Sequence, residues 1–227
     1  MIVSTFAMAV AEAIRGRYSV AVEGMSEKTS IRLVGVGDLP PETWSDPMFA
    51  KASSICFDQC TFVGIPPGIE ACTNIESLTF ANCANIKSFD ENMPVSLQRI
   101  CIVDCPSLEA LPPKMAGITH CTIERCSKLA RIRAIMFSPA ILRSLVIGEC
   151  PRLERIPDFF DKTPALTNLC VSKCPMVKAM PASFGALSKT TTVRATKNGP
   201  DWPLPTVIMR GPRAIRQHLN SIQSKRT

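Results

Sequence analysis

Histidine occurs twice and tyrosine once in this chain of 227 residues, and aromatic residues make up only 6% of it. With two imidazoles, His120 and His218, a Cys–His nucleophile has little to draw on, and with so few rings nucleobases have almost nothing to stack on. No apolar run approaches the roughly 18 residues that a membrane-spanning helix requires. The phosphate-cradling GxxxxGK[ST], the zinc-binding HExxH and the nucleophile elbow GxSxG are all missing, as is the CxxC spacing usual for structural zinc. Met1 to Arg17 also lacks the basic n-region that would open a signal peptide.

What the chain does contain is a unit that recurs. Leu142 to Pro157 reads LRSLVIGECPRLERIP: Leu142, Leu145 and Ile147 hold an LxxLxI spacing, Cys150-Pro151 turns the chain, and Leu153 and Ile156-Pro157 lead back. Leu145 and Ile147 alternate as in a strand with one buried face, so one unit makes a strand, a corner and a return. The register reappears from Leu97, Ile118 and Leu166, and more loosely from Ile75 and Ala52. The corner residues Cys60, Cys83, Cys105, Cys126, Cys150 and Cys174 stand 23, 22, 21, 24 and 24 positions apart. A period of about 20 to 29 with an Asn or Cys corner is the mark of leucine-rich repeats.

The chain therefore resembles the leucine-rich-repeat superfamily over about residues 52–187. Its form, LxxLxIxxCPxLxxLP, is most similar to that of plant immune receptors and of some effectors of plant-associated bacteria. The resemblance implies an α/β fold, a right-handed solenoid with a parallel sheet on its concave face and caps at both ends, usually used to bind another protein. It implies no chemistry by itself. The expected division is an N-terminal cap over 1–51, about six repeats over 52–187, and a C-terminal cap with a basic amphipathic helix over 188–227.

Eleven cysteines is an odd count, and six of them occupy equivalent positions. A small thiol at the corner can be buried against the backbone of the neighbouring turn, which requires it reduced and points to a reducing compartment. In the pairs Cys56/Cys60, Cys101/Cys105 and Cys170/Cys174 one member falls at the inward corner and the other between two buried strand residues. The two point apart, so neither metal nor cofactor is expected.

At the start, Val3, Phe6, Val10, Ala13 and Ile14 recur at helical spacing and suggest an amphipathic cap. Tyr18–Val22 and Ile31–Val36 alternate as strands of a degenerate first repeat, with Trp44, Met48 and Phe49 covering its end. After Leu187 the repeat decays: Thr190, Thr192 and Val193 suggest a last strand, and Val207-Ile208-Met209 a further short one. Gly211-Pro212 then opens a helix with Ile215, Leu219 and Ile222 on one face. From 187 to 227 eight basic residues face one acid, Asp201, which accounts for the whole net charge of +7. Those positives are scattered and short of aromatic companions, so nucleic acid or an anionic membrane is not the expected partner.

The strand positions between the buried ones form the candidate binding surface. The stripe Cys56, Thr79, Cys101, Thr122, Val146, Cys170 is small and uncharged, and Arg99, His120, Arg143, Asp104, Glu124, Arg125 and Glu149 surround it, with Asn168 in the stripe before it and Lys173 in the stripe after the strands. Such a floor suits a polar, charge-complementary protein contact. Cys101 and His120 fall on adjacent strands as diagonal neighbours, roughly 7 to 8 Å apart and beyond hydrogen-bond reach, so no nucleophile is expected there. The reading is thus a monomeric recognition module with no small-molecule substrate and no catalysis of its own, its partner-binding residues being Arg99, Cys101, His120, Thr122, Glu124, Arg125, Arg143, Val146, Asn168 and Cys170. Its repeat style and reducing signature are similar to those of bacterial effectors delivered to a host cell by a non-Sec route. The competing classes are the substrate-recognition part of a ubiquitin ligase whose catalytic domain is absent from this chain, and a fragment of an intracellular immune receptor.

Overall fold

The computed structural model describes residues 19–23, 29–89, 93–133, 136–203 and 205–224. The helical cap expected over Met1 to Arg17 lies outside them. Nine strands form one sheet in sequence order: β1 (Ser19–Glu23), β2 (Thr29–Val34), β3 (Ala52–Asp58), β4 (Ser77–Ala81), β5 (Arg99–Val103), β6 (His120–Glu124), β7 (Ser144–Gly148), β8 (Asn168–Ser172) and β9 (Thr192–Thr196). β1 runs antiparallel to β2, and every later pair is parallel. Because each strand must return to the same end before the next begins, the chain winds as a solenoid, with the right-handed sense of parallel crossovers. Eight parallel strands, from Thr29 to Thr196, extend the repeated register beyond 52–187 on both sides.

Two columns of side chains fill the interior. Ile31, Ile55, Leu78, Ile100, Cys121, Leu145, Leu169 and Val193 stack in one, and Leu33, Phe57, Phe80, Ile102, Ile123, Ile147, Val171 and Ala195 in the other, all buried. The scarce aromatics are spent here too. Trp44, Phe49, Phe57, Phe62, Phe80 and Phe89 form one run of ring contacts, and Phe137, Phe159, Phe160, Phe184 and Trp202 another. Trp44 stands edge-on to Phe49 and Phe57, and its Nε1 donates to the Pro67 carbonyl at 2.8 Å.

At the second end the chain crosses the last repeat. Gly199 makes the crossing possible, since a Cβ there would lie 2.4 Å from the Val177 carbonyl oxygen. Trp202 then sits edge-on to Phe184 and donates Nε1 to the Val177 carbonyl at 2.8 Å. The short α1 (Pro47–Ala50) lies near the start; α2 (Pro205–Met209) and α3 (Pro212–Gln223) complete this end. α2 corrects the expected strand at Val207–Met209. Pro205 favours the first turn of a helix, and Ile208 is buried while Val207 is half-buried, so the segment follows a helical face rather than an extended edge. In α3, Ile215 is buried, and Arg216 Nε donates to the Gly185 carbonyl at 2.5 Å, tying the helix to the 3₁₀ turn Ala182–Ala186.

Candidate functional site

The solvent face of the sheet is set by a backbone device repeated at every corner. The residue after each strand adopts the left-handed conformation: Gln59, Asn82, Asp104, Arg125, Glu149, Lys173 and Lys197 all have φ between 52° and 55°, and Gly35 has φ 69°. Its N–H continues the ladder into the next strand, as Arg125 N donates to the Gly148 carbonyl at 3.0 Å. The cysteine that follows bends back and donates its thiol to the carbonyl two residues before it, at 3.2 Å for Cys83 and 3.3 Å for Cys150. Each such carbonyl therefore has one oxygen lone pair for the N–H of the preceding repeat and one for its own repeat's thiol. Cys60, Cys83 and Cys105 also reach the carbonyls of Leu33, Phe57 and Phe80 in the repeat before, as the small size of the corner thiol predicts.

The same corner recurs after β9 without a cysteine. Asn198 follows Cys174 by 24 positions, donates Nδ2 to the Val171 carbonyl at 2.9 Å and accepts from the Cys174 N–H at 3.1 Å. Sequence reasoning missed it, although Asn is an admissible corner residue and the spacing matches.

Three columns lie on the outer face of the strands. The first carries Ser54, Ser77, Arg99, His120, Ser144, Asn168 and Thr192. The middle column carries Cys56, Thr79, Cys101, Thr122, Val146 and Cys170, with Arg32 before and Arg194 after. The third includes Asp58, Glu124 and Gly148. The structure thus gathers Arg99, Cys101, His120, Thr122, Glu124, Val146, Asn168 and Cys170 onto one face, with Arg143 at the mouth of β7 and Arg125 at the corner after β6. The arginines that end the uncharged floor were not anticipated. Their signal is the period itself, since Arg32 and Arg194 lie 24 positions outside Cys56 and Cys170.

The charges on this face fall into two sets. Along the corners, Arg125 grips Asp104 with two hydrogen bonds, Nε to Oδ1 at 2.6 Å and Nη2 to Oδ2 at 2.8 Å, and lies 3.8 Å from Glu124. Lys173 Nζ meets Glu149 at 2.7 Å. The buried Asp58 accepts from Asn82 Nδ2 at 2.8 Å and from Arg32 Nη2, and these hold its carboxyl below the usual range. Arg125 likewise lowers Asp104, and Lys173 lowers Glu149. Glu124 has room over β7 because Gly148 has no side chain; a Cβ there would lie 3.3 Å from Glu124 Oε1.

The second set is unpaired. Arg99 and Arg143 are exposed and flank the half-buried His120, and none of the described carboxylates lies within ion-pair distance of either. Burial first, then these two guanidinium groups, push the His120 imidazole below its ordinary value. His120 Nδ1 lies 2.9 Å from Thr119 Oγ1, so a hydroxyl rather than a carboxylate orients the ring. The floor thiols Cys56, Cys101 and Cys170 are raised, in each case chiefly by burial, which disfavours the thiolate a nucleophile needs. The corner partners Cys60, Cys105 and Cys174 are buried, whereas Cys56, Cys101 and Cys170 are half-buried. No group of three or more His, Cys, Asp or Glu side chains among the described residues could hold a metal ion.

No protein-family sequence model matches this chain, and neither does any curated protein. Among solved structures, the leucine-rich-repeat domain of the type III effector XopL is similar, with a TM-score of 0.54 and 15% sequence identity over 74% of this chain and 67% of that one. At that identity the likeness is one of fold, and with the eight parallel strands it makes this chain an α/β leucine-rich-repeat solenoid.

Proposed function

We propose that the chain is a protein-recognition module whose concave sheet face binds another protein, with Arg99, Cys101, His120, Thr122, Glu124, Arg125, Arg143, Val146, Asn168 and Cys170 forming the contact. The observation that carries this reading is the unpaired group Arg99, His120 and Arg143 beside a floor of small uncharged side chains. The chain pairs its charges along the corners, so cations left unmatched are available to a partner. The reading is of binding without turnover: raised floor thiols and an imidazole without a carboxylate offer no activated nucleophile.

The biological setting we infer is a bacterial effector, or its target-recognition part, acting inside a host cell. Two observations support it. All eleven cysteines are free, and the corner thiols hold the backbone only as donors, a role lost on oxidation. The fold is also that of a domain from a type III effector.

The test is retention of proteins from a candidate host lysate by the immobilised chain, beside an Arg99→Glu/His120→Ala/Arg143→Glu variant whose circular dichroism and melting match the wild type. Loss of a specific partner is the expected result. A partner retained equally by both would place the contact elsewhere and defeat the reading.

A further inference from the structure

We infer that the segment this face binds is acidic, an extended stretch of a protein partner laid across β5 to β9 with carboxylates over Arg99, Arg143 and Arg194. The inference deepens the binding role given above and rests on it. It follows from matching each charge on the face with its partner. Of the acids there, Asp58 is met by Arg32, Asp104 and Glu124 by Arg125, and Glu149 by Lys173, while Glu76, which precedes β4 as Arg143 precedes β7, is not free either. Arg99, Arg143 and Arg194 are exposed and lack an ion pair among the described residues. What the face offers outward is therefore positive, although residues 1–186 are neutral as a whole.

Geometry narrows the shape of the partner. Neighbouring strands stand about 4.8 Å apart and residues about 3.3 Å apart along a strand, so Arg99 on β5 and Arg143 at the mouth of β7 are separated by about 10 Å, and Arg194, two strands further and three residues along, lies about 14 Å from Arg143. An extended chain of the polyproline II kind advances about 3.1 Å per residue with three residues per turn, so every third side chain returns to the same face about 9 Å further on, a spacing that long arginine side chains can meet. Between them the floor of Cys101, Thr122, Val146 and Cys170 has no large side chain, leaving room for a backbone to lie close. The other basic surface, around Arg131, Arg133 and Arg155 on the opposite side of the solenoid, is less suited. Arg131 has Glu154 3.7 Å away, and Asp158 lies in the adjoining cleft.

The experiment uses the whole chain and a fluorescent synthetic peptide with glutamate at every third position, its glutamine counterpart as control, and anisotropy at low and high salt. The glutamate peptide should bind, lose affinity with salt, and lose about tenfold or more on Arg99→Glu/Arg143→Glu. Neither Arg131→Glu/Arg155→Glu nor Arg210→Glu/Arg213→Glu should have that effect. Equal binding of the glutamine peptide, no binding of the glutamate peptide, or loss confined to either of the latter variants would overturn the inference. A lysate partner lost by the face variant yet held through high salt, while the glutamate peptide does not bind, would leave the binding role standing and remove only the acidic segment.

Discussion

Asp58 offers the sharpest test of how neighbouring repeats are fastened. Its side chain is only 6% exposed, and it accepts from Asn82 and Arg32, which belong to the repeats on either side. Asp58→Asn keeps the shape but replaces one acceptor oxygen with a donor that faces another donor. A hydrogen bond to a buried charge contributes about 1.5 to 3 kcal/mol. The Arg32 side chain is 56% exposed, so its share is screened to about 1 kcal/mol or less. Asn82 is exposed and can return to water. The expected loss is therefore about 2 kcal/mol at neutral pH, near the lower end of the sum. Because the folded carboxyl is held below its ordinary value of 3.8, the stabilisation is present above that pH and disappears as pH falls through the lowered one. Urea unfolding of wild type and variant should show a gap at pH 7 that closes in strong acid. Taking the difference between the two proteins removes the contributions of Asp104 and Glu149, which are lowered as well. A gap of the same size in acid, or none at neutral pH, would refute the assignment.

Asn198→Ala should cost about 2 kcal/mol in the same assay, since it removes two hydrogen bonds that seat the last corner, while Asn198→Cys should recover part of the loss. Lys197→Gly should raise stability by about 0.5 kcal/mol: relief of a left-handed residue at φ 55° exceeds the entropy glycine adds to the unfolded chain. Thiols raised by burial favour the folded state below the ordinary thiol value of 9.0 and lose that contribution as pH rises, with Cys121 pushed up to about 12. Melting temperature should accordingly fall as pH rises past about 9, and less steeply in Cys121→Val, a change that also reports on packing.

The strand columns and the corner were legible because each rests on a single residue type in a fixed place: an apolar residue at every second strand position, and a thiol small enough to turn inward. Repeats lacking that residue were harder to read. Val36 stands where the corner cysteine would be in β2's repeat, and Asn198 where it would be in β9's, so the sheet runs one repeat further at each end than the cysteines mark. The pairing of Asp104 with Arg125 and of Glu149 with Lys173 was not legible. Pairing depends on side chains one repeat apart in sequence meeting across a corner whose left-handed backbone no single residue announces. Val207–Met209 misled in the opposite way: β-branched residues suggest a strand, but the sheet already ends at β9, and Ile208 is buried from a helix.

The column through Arg99 separates structure from function. In β3, β4 and β7 the position is Ser54, Ser77 and Ser144, so serine fits the backbone wherever it occurs along the solenoid. Arg99 lies opposite His120, whose other flank is Arg143, so two guanidinium groups about 10 Å apart repel weakly across the imidazole. If the arginine is there for a partner, Arg99→Ser should leave folding stability unchanged or raise it slightly, while weakening capture of the partner and of the glutamate peptide. If it is there for the fold, the same substitution should lower the urea midpoint and leave binding per folded molecule intact. A destabilisation of about 1 kcal/mol or more, beyond what exposed substitutions ordinarily cause, would decide for the fold.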